Sequence, residues 1–209
     1  TFDAAIANGI FYPDHYPLSL DYVKAMAPDG SDVTLENGHK GKYRSVFDIE
    51  LEKEGTYTIY SASSGLSARW IDDEGERQYW PPRGAQKTNE DFYKEVPQDA
   101  KELEVSERSR RVETFVTSGA PTYDTLGPTG KGLELEPVTH PNDLYTGENI
   151  TFKFNIDGAA AARTEIFLVK GGERYRDQAQ PTKLTTNEKG EVTFTLDEPG
   201  MYWLEAEYA

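Results

Sequence analysis

The chain has 209 residues, of which 36% are hydrophobic and 12% aromatic, enough to bury the core of one large domain or two ordinary ones. Its net charge of −15 comes from 22 basic and 37 acidic residues. Such a surface repels phosphate backbones, so nucleic acid is not an expected partner. The absence of cysteine excludes disulfides, thiolate metal sites and cysteine nucleophiles. No segment has the apolar length of a membrane span, so no insertion into a membrane is expected.

The predicted elements of the first half are mostly strands. Alternating apolar residues predict strands at residues 1–7, 18–27, 31–35, 43–51, 57–61, 67–71, 102–105 and 111–116. A short helix is predicted at 89–95, with Asn89 as its N-cap and Pro97 following its end. The chain begins at Thr1 on an inward-facing strand pattern without an initiator methionine, and we expect it to be trimmed at this end.

A stretch rich in Gly, Pro and Thr at residues 118–130 predicts a linker with few contacts to either side. After it, strands are predicted at 132–138, 149–156, 164–169, around 174–176, at 183–185 and in a final pair. The predicted domains are therefore residues 1–117 and 131–209, joined by residues 118–130.

A divergent repeat connects the two halves. With a shift of 145 residues, six positions of the first copy fall on matching positions of the second: Phe47, Ile49, Leu51, Gly55, Tyr57 and Ile59 on Val192, Phe194, Leu196, Gly200, Tyr202 and Leu204. Each copy predicts a hairpin, with an alternating strand, a Gly turn and a second strand that has Tyr two residues after the Gly. Such endings are common in immunoglobulin-like sandwiches. The predicted fold is all-β, with two tandem immunoglobulin-like β-sandwich domains and a short helix in the first.

Two histidines lie beside carboxylates and are the candidate metal ligands. His15 follows Asp14 between two prolines, and His140 precedes Asp143 by three residues. Imidazole and carboxylate are suitable ligands for nickel, cobalt, copper or zinc. No His-x-His or His-x-x-x-His spacing is present, so a metal site would have to be assembled from distant loops. The alternative is that each histidine orders a turn, which is also our interpretation of His39 in a polar turn.

Catalytic motifs are missing from the sequence. It contains no Gly-x-Ser-x-Gly nucleophile elbow, no phosphate-binding loop and no dinucleotide fingerprint, and its carboxylates are too numerous for one pair to be singled out. We therefore predict that the chain is not an enzyme.

An aromatic and proline cluster could form a partner surface or a loop packed on its own domain: Trp70, Tyr79, Trp80, Pro81 and Pro82. Three arginines predict a solvated strand face, with an anionic docking spot as the alternative: Arg108, Arg110 and Arg111.

Several segments resemble a bacterial family of unknown function whose members are described as periplasmic components of nickel and cobalt uptake systems. The matching segments are FYPDHYPL at 11–18, GKYRSVFD at 41–48, EVPQDAK at 95–101, ETFVTSG at 113–119, KGLELEPVTHPNDL at 131–144, GERYRDQ at 172–178 and PGMYWLEA at 199–206. The resemblance implies an exported, periplasmic protein whose signal peptide is not in this chain. It also implies a further N-terminal segment that carries another histidine.

Combined with the histidines, the resemblance implies an accessory or binding protein for divalent transition-metal uptake. Nickel or cobalt would be held by His15, Asp14, His140 and Asp143, and a membrane transporter or another envelope protein would be the partner. A structural or protein-binding envelope module without metal is the second interpretation. A glycan hydrolase is the third. Convergent His and carboxylate groups would favour the first, an exposed aromatic patch the second, and a cleft with opposed carboxylates the third.

Overall fold

The computed structural model describes residues 1–82, 85, 87–172 and 181–208. Of these residues 49% lie in strands and 5% in helix, which confirms the predicted all-β, sandwich-like fold. The described part of the chain contains no helix with the length and apolar character that a membrane crossing needs. The strand predicted around residues 174–176 lies outside the described residues.

The first half of the chain contains short strands followed by two long ones. Its elements are β1 (Phe2–Ile6), β2 (Tyr16–Pro17), β3 (Lys24–Met26), β4 (Asp32–Val33), β5 (Glu36–Lys40), β6 (Ser45–Asp48), β7 (Gly55–Ile71), β8 (Arg77–Trp80), α1 (Asn89–Glu95) and β9 (Lys101–Ser118). The second half contains β10 (Leu133–Pro137), β11 (Ile150–Ile156), β12 (Ala159–Ala160), β13 (Glu165–Lys170), β14 (Thr182–Thr185), β15 (Glu191–Phe194) and β16 (Tyr202–Glu207). The predicted strand at 18–27 begins only at Lys24, because Leu20–Tyr22 form a 3-10 turn.

Each half builds a core between two sheets. In the first half, the sheet β2-β1-β6-β5 contributes Phe47 and the sheet containing β3 and β7 contributes Ala25 and Ile59. In the second half, β10, β11 and β15 form one sheet and β14, β13 and β16 the other. Their facing side chains form a larger core: Ile150, Phe152, Phe154, Val192, Ile166 and Leu168. Side chains that alternate along each strand therefore meet between paired sheets, as in a sandwich.

The repeat does not form the two predicted hairpins. β6 pairs with β1 and β5, whereas β7 pairs with β3 in the other sheet. In the second copy, β15 pairs with β11 and β16 with β13. An alternating pattern shows only that a strand has one buried face, so it cannot distinguish strands that pair edge to edge from strands that face each other across a core. Each copy is a crossover between two sheets.

The tyrosines of the two copies occupy matching positions, as the repeat predicts. The Tyr57 hydroxyl donates to the carbonyl oxygen of Lys53 at 3.1 Å, and the Tyr202 hydroxyl donates to that of Glu198 at 2.7 Å. Both bonds reach back four residues, and this is the tyrosine corner of immunoglobulin-like sandwiches. Gly55 precedes Tyr57 with φ 125°, a conformation that side-chain-bearing residues rarely adopt.

The chain divides into two compact units. One contains Thr1–Ser61 and Arg111–Ala209, and the other contains Ala62–Arg110. The cores of both predicted domains lie in the first unit, so the predicted boundaries do not coincide with this division. Whether residues 1–117 and 131–209 fold as separate domains stays a prediction.

The predicted linker, residues 118–130, has no helix or strand except at Ser118, which ends β9, but the expectation of few contacts is wrong. Leu126 is buried, and the Thr122 N–H donates to the Thr56 hydroxyl at 3.1 Å. The backbone N–H groups of residues 129–131 donate to the Glu134 carboxylate at 3.0, 2.8 and 3.2 Å. Gly and Pro favour irregular backbone, but threonine hydroxyls bond neighbouring backbone groups, so the same composition suits a segment that is anchored.

The second unit is formed by parts of β7 and β9 together with β8 and α1. Its core contains Ala68, Trp80, Phe92 and Val96. Strands predicted separately at 57–61 and 67–71 are one strand, Gly55–Ile71, and those at 102–105 and 111–116 are one strand, Lys101–Ser118. Ser63, Ser64 and Gly65 resemble a turn in sequence but lie within β7, where both serines are exposed. The charged segment 106–110 is an exposed part of β9.

Helix α1 has the predicted bounds but a different N-cap. Thr88, not Asn89, caps it: the Thr88 hydroxyl accepts from the Asp91 N–H at 3.2 Å, and the Asp91 carboxylate accepts from the Thr88 N–H at 2.9 Å. This reciprocal pair is a capping box. The Asn89 side chain instead accepts from the Leu66 N–H at 3.2 Å.

Candidate functional site

His15 and Asp14 lie in the loop between β1 and β2, residues 7–15, which we call the first loop. Both side chains are exposed. Asp14 is held by one hydrogen bond, in which its Oδ1 accepts from the Asn8 N–H at 3.0 Å. The His15 ring lies against Tyr16 with 4.1 Å between centroids. In the part of the chain that the structure describes, neither ring nitrogen of His15 has a hydrogen-bond partner.

His140 is in the opposite situation, because it is 2% exposed and both ring nitrogens are engaged. Its Nδ1 accepts from the Asn142 N–H at 3.0 Å. Its Nε2 lies 3.0 Å from the Thr122 carbonyl oxygen and 2.9 Å from the Thr56 hydroxyl. Since an amide N–H donates to Nδ1, the proton of the neutral ring is assigned to Nε2. No lone pair is left for a metal, so His140 acts here as a structural crosslink.

Asp143 is exposed, and its backbone N–H donates to the His140 carbonyl oxygen at 2.9 Å. Its carboxylate accepts from the Tyr145 hydroxyl and thereby raises the pKa of Tyr145. Among the described residues, no group of three or more His, Asp or Glu side chains is placed to hold a metal ion. The four predicted ligands therefore form two local pairs, Asp14 with His15 and His140 with Asp143.

Large apolar side chains are exposed in the first loop and at Tyr16, the first residue of β2. Phe11 is 45% exposed, Tyr12 44% and Tyr16 59%. Phe11 has φ 56°, and its ring lies so close to Gly171 that a Cβ there would be 3.0 Å from Phe11 Cδ2. The Phe11 ring therefore packs against Gly171 in the second half of the chain, whereas Tyr12 and Tyr16 are exposed. Sequence periodicity did not single out these side chains, because a loop has no repeating face.

A cavity beside the first loop contains the third histidine. It has a volume of about 410 Å³ and is lined by Pro13, His39, Gly41, Lys42, Tyr43, Arg44 and Val46. Our interpretation of His39 as a turn residue is wrong, because His39 lies in β5, pairs with Val46 and lines this cavity. The sequence did contain a signal for a positively charged site here, because residues 37–47 include Lys40, Lys42 and Arg44 and no acidic residue.

A second cavity, of about 220 Å³, lies in the first sandwich and has an acidic lining. Its carboxylates are Asp32, Glu36, Glu50 and Glu52, accompanied by Lys53 and Tyr57. Lys53 forms an ion pair with Asp29, and the Tyr57 hydroxyl is bonded to the Lys53 backbone. Two polar groups of this lining thus have structural partners already.

The predicted aromatic and proline surface is divided between core and solvent. Trp80 is 5% exposed, meets Phe92 edge-on at 5.3 Å, and donates from Nε1 to the Glu95 carboxylate at 3.0 Å. Tyr79, its neighbour on β8, is 63% exposed. The interpretation as a segment packed on its own unit therefore holds for Trp80. Of the three arginines, Arg108 and Arg110 are exposed, and Arg111 pairs with Glu113 at 2.5 Å.

Comparison with known families finds a match over the whole chain. A family model described as Domain of unknown function (DUF4198) matches residues 1–209. No curated protein and no solved structure matches the chain.

Proposed function

Because the chain belongs to a family of domains of unknown function (DUF4198), its role has to be inferred from its own side chains, and we propose that it is a non-catalytic binding protein of the bacterial periplasm. Its ligand is a divalent transition metal, nickel or cobalt, held by His15 with Asp14. The observation that supports this is the exposed His15 imidazole, which has no hydrogen-bond partner at either nitrogen in the described part of the chain.

Imidazole nitrogen and carboxylate oxygen are a suitable pair of ligands for these metals. The Asp14 oxygen Oδ1 accepts from the Asn8 N–H, which holds the carboxylate beside the histidine and leaves Oδ2 for a metal. With two protein ligands, water fills the other coordination positions, and the dissociation constant is expected in the micromolar range or weaker. A weakly held ion suits a protein that passes metal to a membrane transporter.

The test is isothermal titration with nickel, cobalt, copper and zinc on the wild type, His15→Ala and the matched control His39→Ala. His39 is exposed like His15 but lies outside the first loop. We expect His15→Ala to lose tenfold or more in affinity, about 1.4 kcal/mol, and His39→Ala to bind as the wild type does. Affinity should fall on acidification, because protons compete with the metal for imidazole nitrogen.

Equal affinities in all three proteins, insensitive to pH, would contradict a site at His15. Binding would then reflect loose attraction between a cation and a chain of net charge −15. The second candidate would follow, a protein-binding envelope module that uses the exposed Phe11, Tyr12 and Tyr16 of the same loop region. Aromatic side chains of this kind are enriched at protein interfaces.

A further inference from the structure

The hairpin of β5 and β6 concentrates positive charge on an acidic protein. Residues 37–47 contain His39, Lys40, Lys42 and Arg44 and no acidic residue, in a chain of net charge −15. Arg44 pairs with Asp3 at 2.9 Å, and both side chains are more than half exposed. Among the described residues, Lys40 and Lys42 form no ion pair. This segment is therefore positively charged, in a chain whose net charge is negative.

The strand register explains why His39 and Val46 line the same cavity. The turn closes through the Gly41 N–H, which donates to the Arg44 carbonyl oxygen at 2.9 Å. His39 is the strand partner of Val46, and Val46 is also the partner of Asp3, so the three lie on one face of the sheet. Phe47 and Ser45 are buried, so this face is the one turned away from the core.

The cavity on this face has a volume of about 410 Å³, within the range of small-molecule sites. Pro13 and Val46 contribute apolar lining, and Tyr43 adds a ring that is 42% exposed. The Lys42 Nζ lies 4.8 Å from the centre of that ring. Arg44 donates from Nη1 to Asp3, which leaves its Nε and Nη2 hydrogens for another acceptor.

We propose that this cavity binds a small organic phosphate, with the phosphate on Arg44 and Lys42 and the body of the ligand against Tyr43, Pro13 and Val46. Guanidinium and ammonium groups are the usual protein partners of phosphate. An aromatic ring and a proline accommodate a sugar-like or flat organic body better than a bare ion. The same cations repel a divalent metal, which separates this site from the one proposed at His15 and Asp14.

The probes are inorganic phosphate, glycerol 3-phosphate and vesicles of phosphatidylglycerol, at constant ionic strength. Binding of the soluble probes is followed by backbone amide NMR shifts, and binding of the vesicles by cosedimentation. We expect glycerol 3-phosphate to shift residues 39–46 and to bind more tightly than inorganic phosphate. Binding by vesicles alone would assign the phosphate to a lipid head group, and binding by the soluble esters would assign it to a free ligand.

Two variants test the site, one expected to weaken binding and one expected to tighten it. Lys42→Gln combined with Arg44→Gln should weaken binding tenfold or more, whereas Lys24→Gln, an exposed lysine on β3 outside the cavity, should change it less than twofold. Asp3→Asn should tighten binding severalfold, because it removes the carboxylate that competes for Arg44. The proposal is overturned if no probe binds, if Lys24→Gln weakens binding as much as the double substitution of Lys42 and Arg44, or if Asp3→Asn leaves it unchanged.

Discussion

The two corner tyrosines differ in burial, and this difference determines what each hydroxyl contributes to stability. Tyr57 is 1% exposed, and its hydroxyl both accepts from the Lys53 N–H at 2.8 Å and donates to the Lys53 carbonyl at 3.1 Å. Tyr202 is half-buried and makes one bond, to the Glu198 carbonyl. We predict that Tyr57→Phe lowers the free energy of unfolding by about 1–3 kcal/mol, because backbone groups lose partners that water cannot easily replace. Tyr202→Phe should cost less than about 1 kcal/mol.

Urea unfolding of both variants checks this prediction. Equal losses, or a larger loss in Tyr202→Phe, would contradict this prediction. They would show that the burial of each tyrosine does not determine what its hydroxyl contributes to stability. The near-ultraviolet circular dichroism of each variant provides a control that the fold is kept.

The histidines show why a site of this kind can be predicted only in part from sequence. Asp14 and His15 are neighbours in the chain, so their proximity is local and was predicted directly. The buried state of His140 depends on Thr56 and Thr122, which lie 84 and 18 residues away in the chain. No local pattern contains those partners, so a structural histidine and a possible ligand look the same in sequence.

At the scale of elements, Glu134 on β10 anchors the segment that precedes its strand. Its carboxylate is 6% exposed and accepts from the Thr129 hydroxyl at 2.6 Å and from three backbone N–H groups. Burial raises the pKa of Glu134, but these hydrogen bonds outweigh burial and hold the pKa below its ordinary value. A lowered pKa in the folded state means stability that is fully present above the unfolded value, about 4.3, and is lost as pH falls through the folded pKa.

Glu134→Gln should therefore destabilise the chain at pH 7 by about 1–3 kcal/mol, since the amide cannot accept as many bonds and carries no charge. The variant should also lose less stability than the wild type on acidification. Urea unfolding at pH 7, 5 and 3 measures both effects, with the exposed Glu205→Gln as the matched control. A wild type and a Glu134→Gln variant with parallel pH profiles would refute the anchoring role.

Helix α1 and the sheets illustrate what local chemistry determines. The helix bounds were predicted correctly because capping groups lie within four residues of the helix that they stabilise. The predictions missed β2, β5, β8 and β12, which are two to five residues long and have little alternation of their own. Their strand character depends on the neighbours with which they pair, namely β1, β6, β7 and β11.

At the scale of the whole molecule, the anchored segment 119–130 determines how the chain responds to proteases. Leu126 is 6% exposed, and Thr122 is bonded to Thr56 on β7. We predict that brief thermolysin treatment of the native chain leaves residues 119–130 uncut, because cleavage needs local unfolding of the segment. Glu134→Gln should make this segment more sensitive.

Mass spectrometry of the products checks the prediction. Release of two folded fragments by a cut within 119–130 would contradict it and would support separate domains at residues 1–117 and 131–209.

The all-β class and the internal repeat could be predicted from periodicity, which is a local property of the sequence. The crossovers and the anchored segment depend on pairing partners far away in the chain.

The division of the chain into two units also has a consequence for the order of folding during synthesis. Residues of the second unit are consecutive, so its core of Trp80, Phe92 and Val96 is available as soon as Ala62–Arg110 have left the ribosome. The first unit cannot complete its packing at that point, because Thr56 bonds to His140, which is 84 residues later in the chain. At about 5–20 residues per second, this delay lasts roughly 4 to 17 s. During that interval the bond between Thr56 and His140 cannot form, and we expect the second unit, Ala62–Arg110, to fold first.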